Sequence, residues 1–325
     1  MQLADGDVHV WILRVADVAP GLLATLGEWL TDDERARERA FRADTDRDHF
    51  RLTRWLQRWV LSKYAPVDPA DWRFATEAGG RPYVAAPGFP FSFNVSNTTG
   101  MIACAVCRDE VGVDIENVTC HETPFEVVEQ VFVAFERAGL RALPGPLQRQ
   151  RFYELWTLKE AYLKARGEGL AIPLQQFGFR HGADELVFEV DPALGDDATA
   201  WSFRRLALGS DHQGAVAVRK PARSELRVTQ LGGDLRLPLL RRGEGRLGVV
   251  VVGRGELKLL PQRERAALVV RTGFGVRRRR RAENGQKRYE RPDEERQASS
   301  AREVSALRAS DSHMVANPSV YRLPG

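Results

Sequence analysis

The stretch FSFNVSNTTGMIACAVCRDEVGVDIE, residues 91–116, sets out three short strands separated by two turns. Phe91–Val95 leads into the polar turn Asn97–Gly100, Met101–Arg108 follows, and Asp109–Glu110 turns the chain into Val111–Glu116. Turns this short join antiparallel neighbours. Upstream, His9–Val15 reads as a strand with His9, Trp11, Leu13 and Val15 on one face. Leu22–Leu30 has a helical pattern, and Thr31 with Glu34 forms a capping box opening a charged helix through about Arg42. A longer helix, Arg47–Tyr64, carries a broad apolar stripe that ends at Ala65-Pro66, and residues 78–90, rich in Gly and Pro, read as loop. Downstream, helices are expected over Pro124–Ala142 and over Gln148–Arg166, the latter stopped by Gly167. Strands follow at Phe177–Arg180, Glu185–Val190, Ala200–Leu208 and Gly214–Arg219.

Helices and antiparallel strands thus alternate twice. The expected fold is α+β, with two similar-sized halves at 1–108 and 109–225. Beyond about Pro221 the pattern dissolves, apart from a strand-like Leu247–Val252 and five consecutive arginines at Arg277–Arg281. Segment 226–325 has little to bury against its ordering entropy and is expected to be a disordered, basic tail.

Charge divides along the same line. The net +4 of the 325-residue chain combines 22 Lys and Arg against 11 Asp and Glu in residues 226–325 with an acidic body. Only Phe274, Tyr289 and Tyr321 among the aromatics lie in the tail. The tail therefore lacks the interleaved aromatics of a nucleic-acid stacking surface, and nucleic acid is not an expected partner. No apolar run approaches the roughly 20 residues that span a bilayer, and the N-terminus has no signal-peptide pattern, so no membrane partner is expected. Cys104, Cys107 and Cys120 are too few for a disulfide framework, and a strand puts Cys104 and Cys107 on opposite faces. The expected location is cytoplasmic.

Three segments carry chemistry. In Gly112-Val113-Asp114-Ile115-Glu116, the two carboxylates stand at i and i+2 on one strand face, about 6.5–7 Å apart. They form either a solvated acidic edge or a pair that holds a hard cation such as Mg²⁺. On the second helix Trp156, Glu160 and Lys164 recur every four residues on one face. That spacing gives either a surface ion pair or a metal ligand beside a phosphate-binding lysine. The third segment is the turn after Phe93-Asn94-Val95-Ser96-Asn97, which is either a hairpin end or a set of donors for a phosphate.

Taken together and in order, these segments resemble the Sfp-type 4′-phosphopantetheinyl transferases. Gly80-Arg81-Pro82-Tyr83 matches that family's Gly-Lys/Arg-Pro motif, Phe132 and Glu136 its Phe-x-x-x-Glu helix, and Gly167–Leu170 with Pro173 the segment after its Trp-x-x-Lys-Glu-Ala helix. The likeness spans about residues 10–221. It implies transfer of the phosphopantetheine arm of coenzyme A to a serine of an acyl, peptidyl or aryl carrier protein, with Mg²⁺ and release of 3′,5′-ADP, as in a holo-[acyl-carrier-protein] synthase. By position it implies Asp114, Glu116 and Glu160 as metal ligands, with Glu160 also taking the serine proton. It implies Lys164 on the pyrophosphate, Lys159 in a supporting role, and Arg54, Arg81, Ser96 and Asn97 as coenzyme A contacts in a cleft between the halves of a monomer, folded as a pseudo-dimer of two similar α+β halves of which the second carries the metal site. Where the family usually has His after that serine, Asn97 stands, which donates a hydrogen bond but cannot become cationic. The alternative reading is a catalytically silent coenzyme A-binding protein of the same fold.

Overall fold

The computed structural model describes residues 1–220 except 19–22, 24, 78, 121–122, 124 and 182–185, and beyond them 227–231, 236–238 and 249–251. Strand β1 (Asp7–Arg14) is followed by helices α1 (Asp32–Ala40) and α2 (Asp44–Leu61), then β2 (Arg73–Thr76), β3 (Pro82–Ala86), β4 (Ser92–Thr98) and β5 (Met101–Cys107). The same succession recurs. Strand β6 (Val111–Asn117) precedes α3 (Val128–Val131), α4 (Ala134–Arg141) and α5 (Gly145–Arg166), then β7 (Phe177–His181), β8 (Leu186–Val190), β9 (Ser202–Arg205) and β10 (His212–Val218). The fold is α+β. We place the boundary between the halves in the turn at 108–110.

Local chemistry accounts for the helices. Thr31 accepts from the Glu34 amide while Glu34 accepts from the Thr31 amide, the reciprocal box expected from the sequence. Helix α5 ends at Gly167, whose φ of +74° suits glycine, and its amide returns to Leu163 O. The continuous helix expected over 124–142 is instead broken at Phe132, whose backbone is extended, so α3 and α4 are separate. The expected loop at 78–90 contains β3, which pairs antiparallel with β2 around Gly79 and Gly80.

In each half the last strand pairs with the first: β1 runs antiparallel to β5, with Val8 opposite Cys107, and β6 to β10, with Val111 opposite Val218. Helix α2 packs its apolar face, including Trp55 and Trp59, over the first sheet, and α5 covers the second. Between the sheets lies a third cluster built from Val8, Val10, Ala103, Val113, Ile115 and Val216. Cys104 and Cys107 fall into different clusters, as strand geometry requires, and all three cysteines are unpaired. Gly112 lets α5 lie directly on β6: a Cβ there would sit 2.0 Å from Ala161 O.

Described strands extend past residue 226, where a disordered tail was expected. Arg227–Leu231 forms β11, parallel to β1, with Arg227 paired to Asp7 at 2.8 Å. Residues 236–238 and 249–251 pair as β12 and β13, in accord with the strand-like Leu247–Val252. The disorder expected for the remainder of 226–325, with Arg277–Arg281, lies outside the described residues.

Candidate active site

The halves meet along β4 and β6, and there side chains take the place of a backbone ladder. Asn94 Oδ1 accepts from the Val113 amide at 3.0 Å, Ser96 Oγ from Ile115 at 3.3 Å, and Thr98 Oγ1 from Asn117 at 3.1 Å. The period of two along β4 puts these residues on one side, away from the Phe93 side chain in the first core. The two hydroxyls also donate: Ser96 to Asp114 Oδ1 at 3.0 Å, and Thr98 to Glu116 Oε2 at 3.4 Å.

Helix α5 brings the remaining groups. Trp156 Nε1 donates to Glu116 Oε1 at 3.2 Å, and Lys164 Nζ reaches Asp114 Oδ1 at 2.6 Å and Ser96 Oγ at 3.1 Å. Glu160, one turn from each, exerts its charge on both Asp114 and Lys164. Burial pushes the Asp114 carboxyl up to about 6, against the pull of the Lys164 ammonium and with a further push from Glu160. Burial alone would lower Lys164, but the carboxylates of Asp114, Glu160 and Glu116 outweigh it and hold its pKa above the usual value. Asp114, Glu116, Glu160 and Lys164 are thus brought together from two elements.

Among the described residues, no three Asp, Glu, His or Cys side chains stand close enough together to hold an ion, and an ammonium lies against Asp114 instead. The donor chemistry nonetheless fits a hard cation. Asp114 Oδ2 is buried with no hydrogen-bond partner, and an unmatched buried carboxylate oxygen is costly unless a cation satisfies it.

Beside this cluster opens a cavity of about 690 Å³ with walls from both halves, among them Arg54, Gln57, Phe74, Asn97, Glu160 and Lys164. Its size suits a nucleotide-sized ligand. Arg54 donates to Gln57 Oε1 at 3.1 Å and lies 3.6 Å from Glu34; burial pushes its guanidinium down to about 10. Arg81 also lines the cavity and clamps the halves, donating to Ser92 Oγ at 2.6 Å and Ala165 O at 3.2 Å. The neighbouring turn packs so tightly on the end of α5 that a Cβ on Gly79 would lie 1.8 Å from Gly167 O.

Two expectations change. Lys159 does not face the cavity: it is fully buried on the other side of α5, 3.0 Å from Glu136 Oε2, and donates to the carbonyls of Leu174 and Phe177. Every proton of its ammonium is used, so its place is structural. Ser96 is turned toward β6 and Lys164, behind Asp114, while Asn97 at the next position lines the cavity. Sequence reasoning missed Asn94 and Thr98 as partners of β6, although the polar residues at i, i+2 and i+4 in Asn94-Val95-Ser96-Asn97-Thr98 carry the signal. It also matched Glu136 by position without finding its partner Lys159.

Residues 110–217 match the family described as ACPS, 4′-phosphopantetheinyl transferase superfamily. The chain is 30% identical over 222 residues to the 4′-phosphopantetheinyl transferase HetI of Nostoc sp. (strain PCC 7120), covering 67% of this chain and 90% of that protein. It is 33% identical to a phosphopantetheinyl transferase of Thraustochytrium sp., over 66% of this chain and 80% of the relative. To the 4′-phosphopantetheinyl transferase Sfp of Bacillus subtilis (strain 168) it is 31% identical, over 47% of this chain and 66% of that protein. No helix among the described residues is long and apolar enough to cross a membrane.

Proposed function

Because this chain belongs to the 4′-phosphopantetheinyl transferase superfamily, we propose that it moves the phosphopantetheine arm of coenzyme A onto a serine of a carrier protein, releasing 3′,5′-ADP. The observation that carries this reading is the convergence of Asp114 and Glu116 from β6 with Glu160 and Lys164 from α5 beside a cavity shared by both halves. The comparisons favour no catalytically silent alternative.

In the reaction the serine oxygen bonds to the β-phosphorus of the coenzyme A pyrophosphate, and the bond from that phosphorus to the bridging oxygen breaks. Such transfers depend on positioning and charge neutralisation more than on covalent chemistry by the protein. Lys164 neutralises charge on the pyrophosphate, its own charge assured by the surrounding carboxylates. Glu160, at the cavity wall, takes the serine proton. Arg54, Arg81 and Asn97 hold the nucleotide end, Asn97 as a neutral donor, and Ser96 steadies Asp114 and Lys164 from behind. Asp114, Glu116 and Glu160 would hold Mg²⁺, which when bound polarises phosphate oxygens and stabilises the leaving group. The substrate is an acyl, peptidyl or aryl carrier protein, and the activity is of the holo-[acyl-carrier-protein] synthase type. A cavity walled by both halves of one chain supports a monomeric enzyme, and three unpaired cysteines suit the cytoplasm.

The test is the intact mass of an apo carrier protein incubated with the full chain, coenzyme A and Mg²⁺. A gain of one phosphopantetheine is expected, and Glu116→Ala should slow it by about 10²–10³-fold. No gain across several carrier classes, despite measurable coenzyme A binding, would overturn the assignment.

A further inference from the structure

We infer that Thr98, supplied by the half opposite to β6, is a positioning residue that sets the Glu116 carboxylate for ion binding. The inference rests on the reading of Asp114, Glu116 and Glu160 as ion ligands. Glu116 is only 4% exposed, so the orientation of its carboxylate is set by protein donors rather than water. Trp156 Nε1 donates to its Oε1 and Thr98 Oγ1 to its Oε2, approaching from a helix of one half and a strand of the other. Two donors from different elements fix the plane of the carboxylate, as outer-shell partners orient a metal-binding ligand.

The Thr98 hydroxyl is itself fixed. By accepting from the Asn117 amide at 3.1 Å it must turn its single proton elsewhere, and Glu116 Oε2 is the acceptor it meets. Ser96 repeats the arrangement one rung away, accepting from Ile115 and donating to Asp114. Each hydroxyl thus engages a carboxylate and the amide of the next residue at once. Asn94 makes the third rung of the seam with the Val113 amide, where β6 carries no carboxylate. The docking of the two halves and the shape of the acidic site are therefore one set of contacts.

Thr98→Val keeps the side-chain shape and removes the hydroxyl, Thr98→Ser keeps the hydroxyl, and Asn94→Ala removes a rung that touches no carboxylate. The readouts are Mn²⁺ titration of the full chain followed by electron paramagnetic resonance, with coenzyme A present, and thermal melting of the metal-free chain. Thr98→Val should weaken Mn²⁺ binding about tenfold, the lower end for loss of a partner to a metal ligand, and Thr98→Ser should restore it. Asn94→Ala should lower the melting temperature as much as Thr98→Val while leaving Mn²⁺ affinity within about twofold of the wild type. Wild-type affinity in a folded Thr98→Val protein overturns the inference, as does equal weakening by Asn94→Ala, which would reduce Thr98 to general seam stability. Loss of Mn²⁺ binding in Thr98→Ser overturns it as well. A wild-type chain that binds no Mn²⁺ overturns the ligand assignment itself, and the inference with it.

Discussion

In the first half, Arg58 of α2 reaches Glu34, the third residue of α1; in the second, Lys159 of α5 reaches Glu136, the third residue of α4. Both carboxylates also accept from the backbone amide that precedes their helix. The strands correspond as well. With Val8 and Val111 each opposite the end of its half's last strand, Trp11 takes the rung of Asp114, and Leu13 that of Glu116. One residue past each buried cation stand Trp59 and Glu160, and four further on Lys63 and Lys164. In the first half these positions close into a core, with the Trp11 and Trp59 rings 5.1 Å apart and edge to face. In the second they carry three carboxylates and an ammonium. One frame therefore serves two ends: apolar filling supplies cohesion, and the ionic version gives up that cohesion to hold charge beside the cavity. What both copies keep is the buried ion pair that fastens helix to helix.

That shared pair is where the comparison predicts its largest effect. Removing one partner of a buried pair leaves the other charge uncompensated, at a cost of about 3–5 kcal/mol. Lys159→Met should lose that much in urea denaturation, because no second cation stands near Glu136 among its described contacts. Arg58→Met should lose less, roughly 1–3 kcal/mol, because Arg54 remains 3.6 Å from Glu34. Equal losses would show that Arg54 gives no compensation, and that the two pairs are equivalent in energy as well as in place.

The next contrast separates the two lysines four residues beyond Trp59 and Glu160 from one another. Lys164 touches Asp114, whereas the Lys63 ammonium lies 4.1 Å from the centre of the Trp59 ring. Lys164→Met should slow carrier-protein modification by about 10²–10³-fold, and it should also lower the melting temperature, because it leaves the buried Asp114 without its cation. Lys63→Met should leave the rate within about twofold and cost roughly 0.5–1 kcal/mol of stability through the lost cation–π contact. A Lys63 variant as slow as the Lys164 variant would break the claim that only the second copy of the frame is chemical.

Much of this was legible in the sequence, because periods of 2 and 3.6 depend on the chain alone. Asp114 and Glu116 share a strand face, Glu160 and Lys164 share a helix face, and Thr31 with Glu34 announces a helix start. What periodicity does not give is the occupant of the space opposite a face. It places Lys159 next to Glu160 but says nothing of Glu136, which reaches it from a helix that the sequence reading ran together with α3. It likewise could not turn Ser96 toward β6, since that direction follows from the docking of the halves. The β2–β3 hairpin was hidden because Gly79 and Gly80, read as signs of loop, are the turn between two strands. Strand β11 was hidden by the polar composition around it, since its pairing is by backbone to the edge of β1.

The smallest predicted effect concerns the rung before Trp11 and Asp114. There the second half has Gly112, against which the α5 backbone rests, and the first half has His9, whose Nδ1 lies 2.7 Å from the Tyr64 hydroxyl. Burial lowers the His9 pKa below its usual 6.5, outweighing the opposite pull of Asp7. The folded state therefore binds fewer protons than the unfolded chain once the pH drops below about 6.5, so stability falls as pH falls through that value and is fully present above it. Urea denaturation between pH 7.5 and 5 should show His9→Gln gaining stability relative to the wild type as the pH falls, with the difference confined below about pH 6.5. Parallel curves for the two proteins would mean that His9 is solvated rather than packed at the rung where Gly112 meets α5 in the second half.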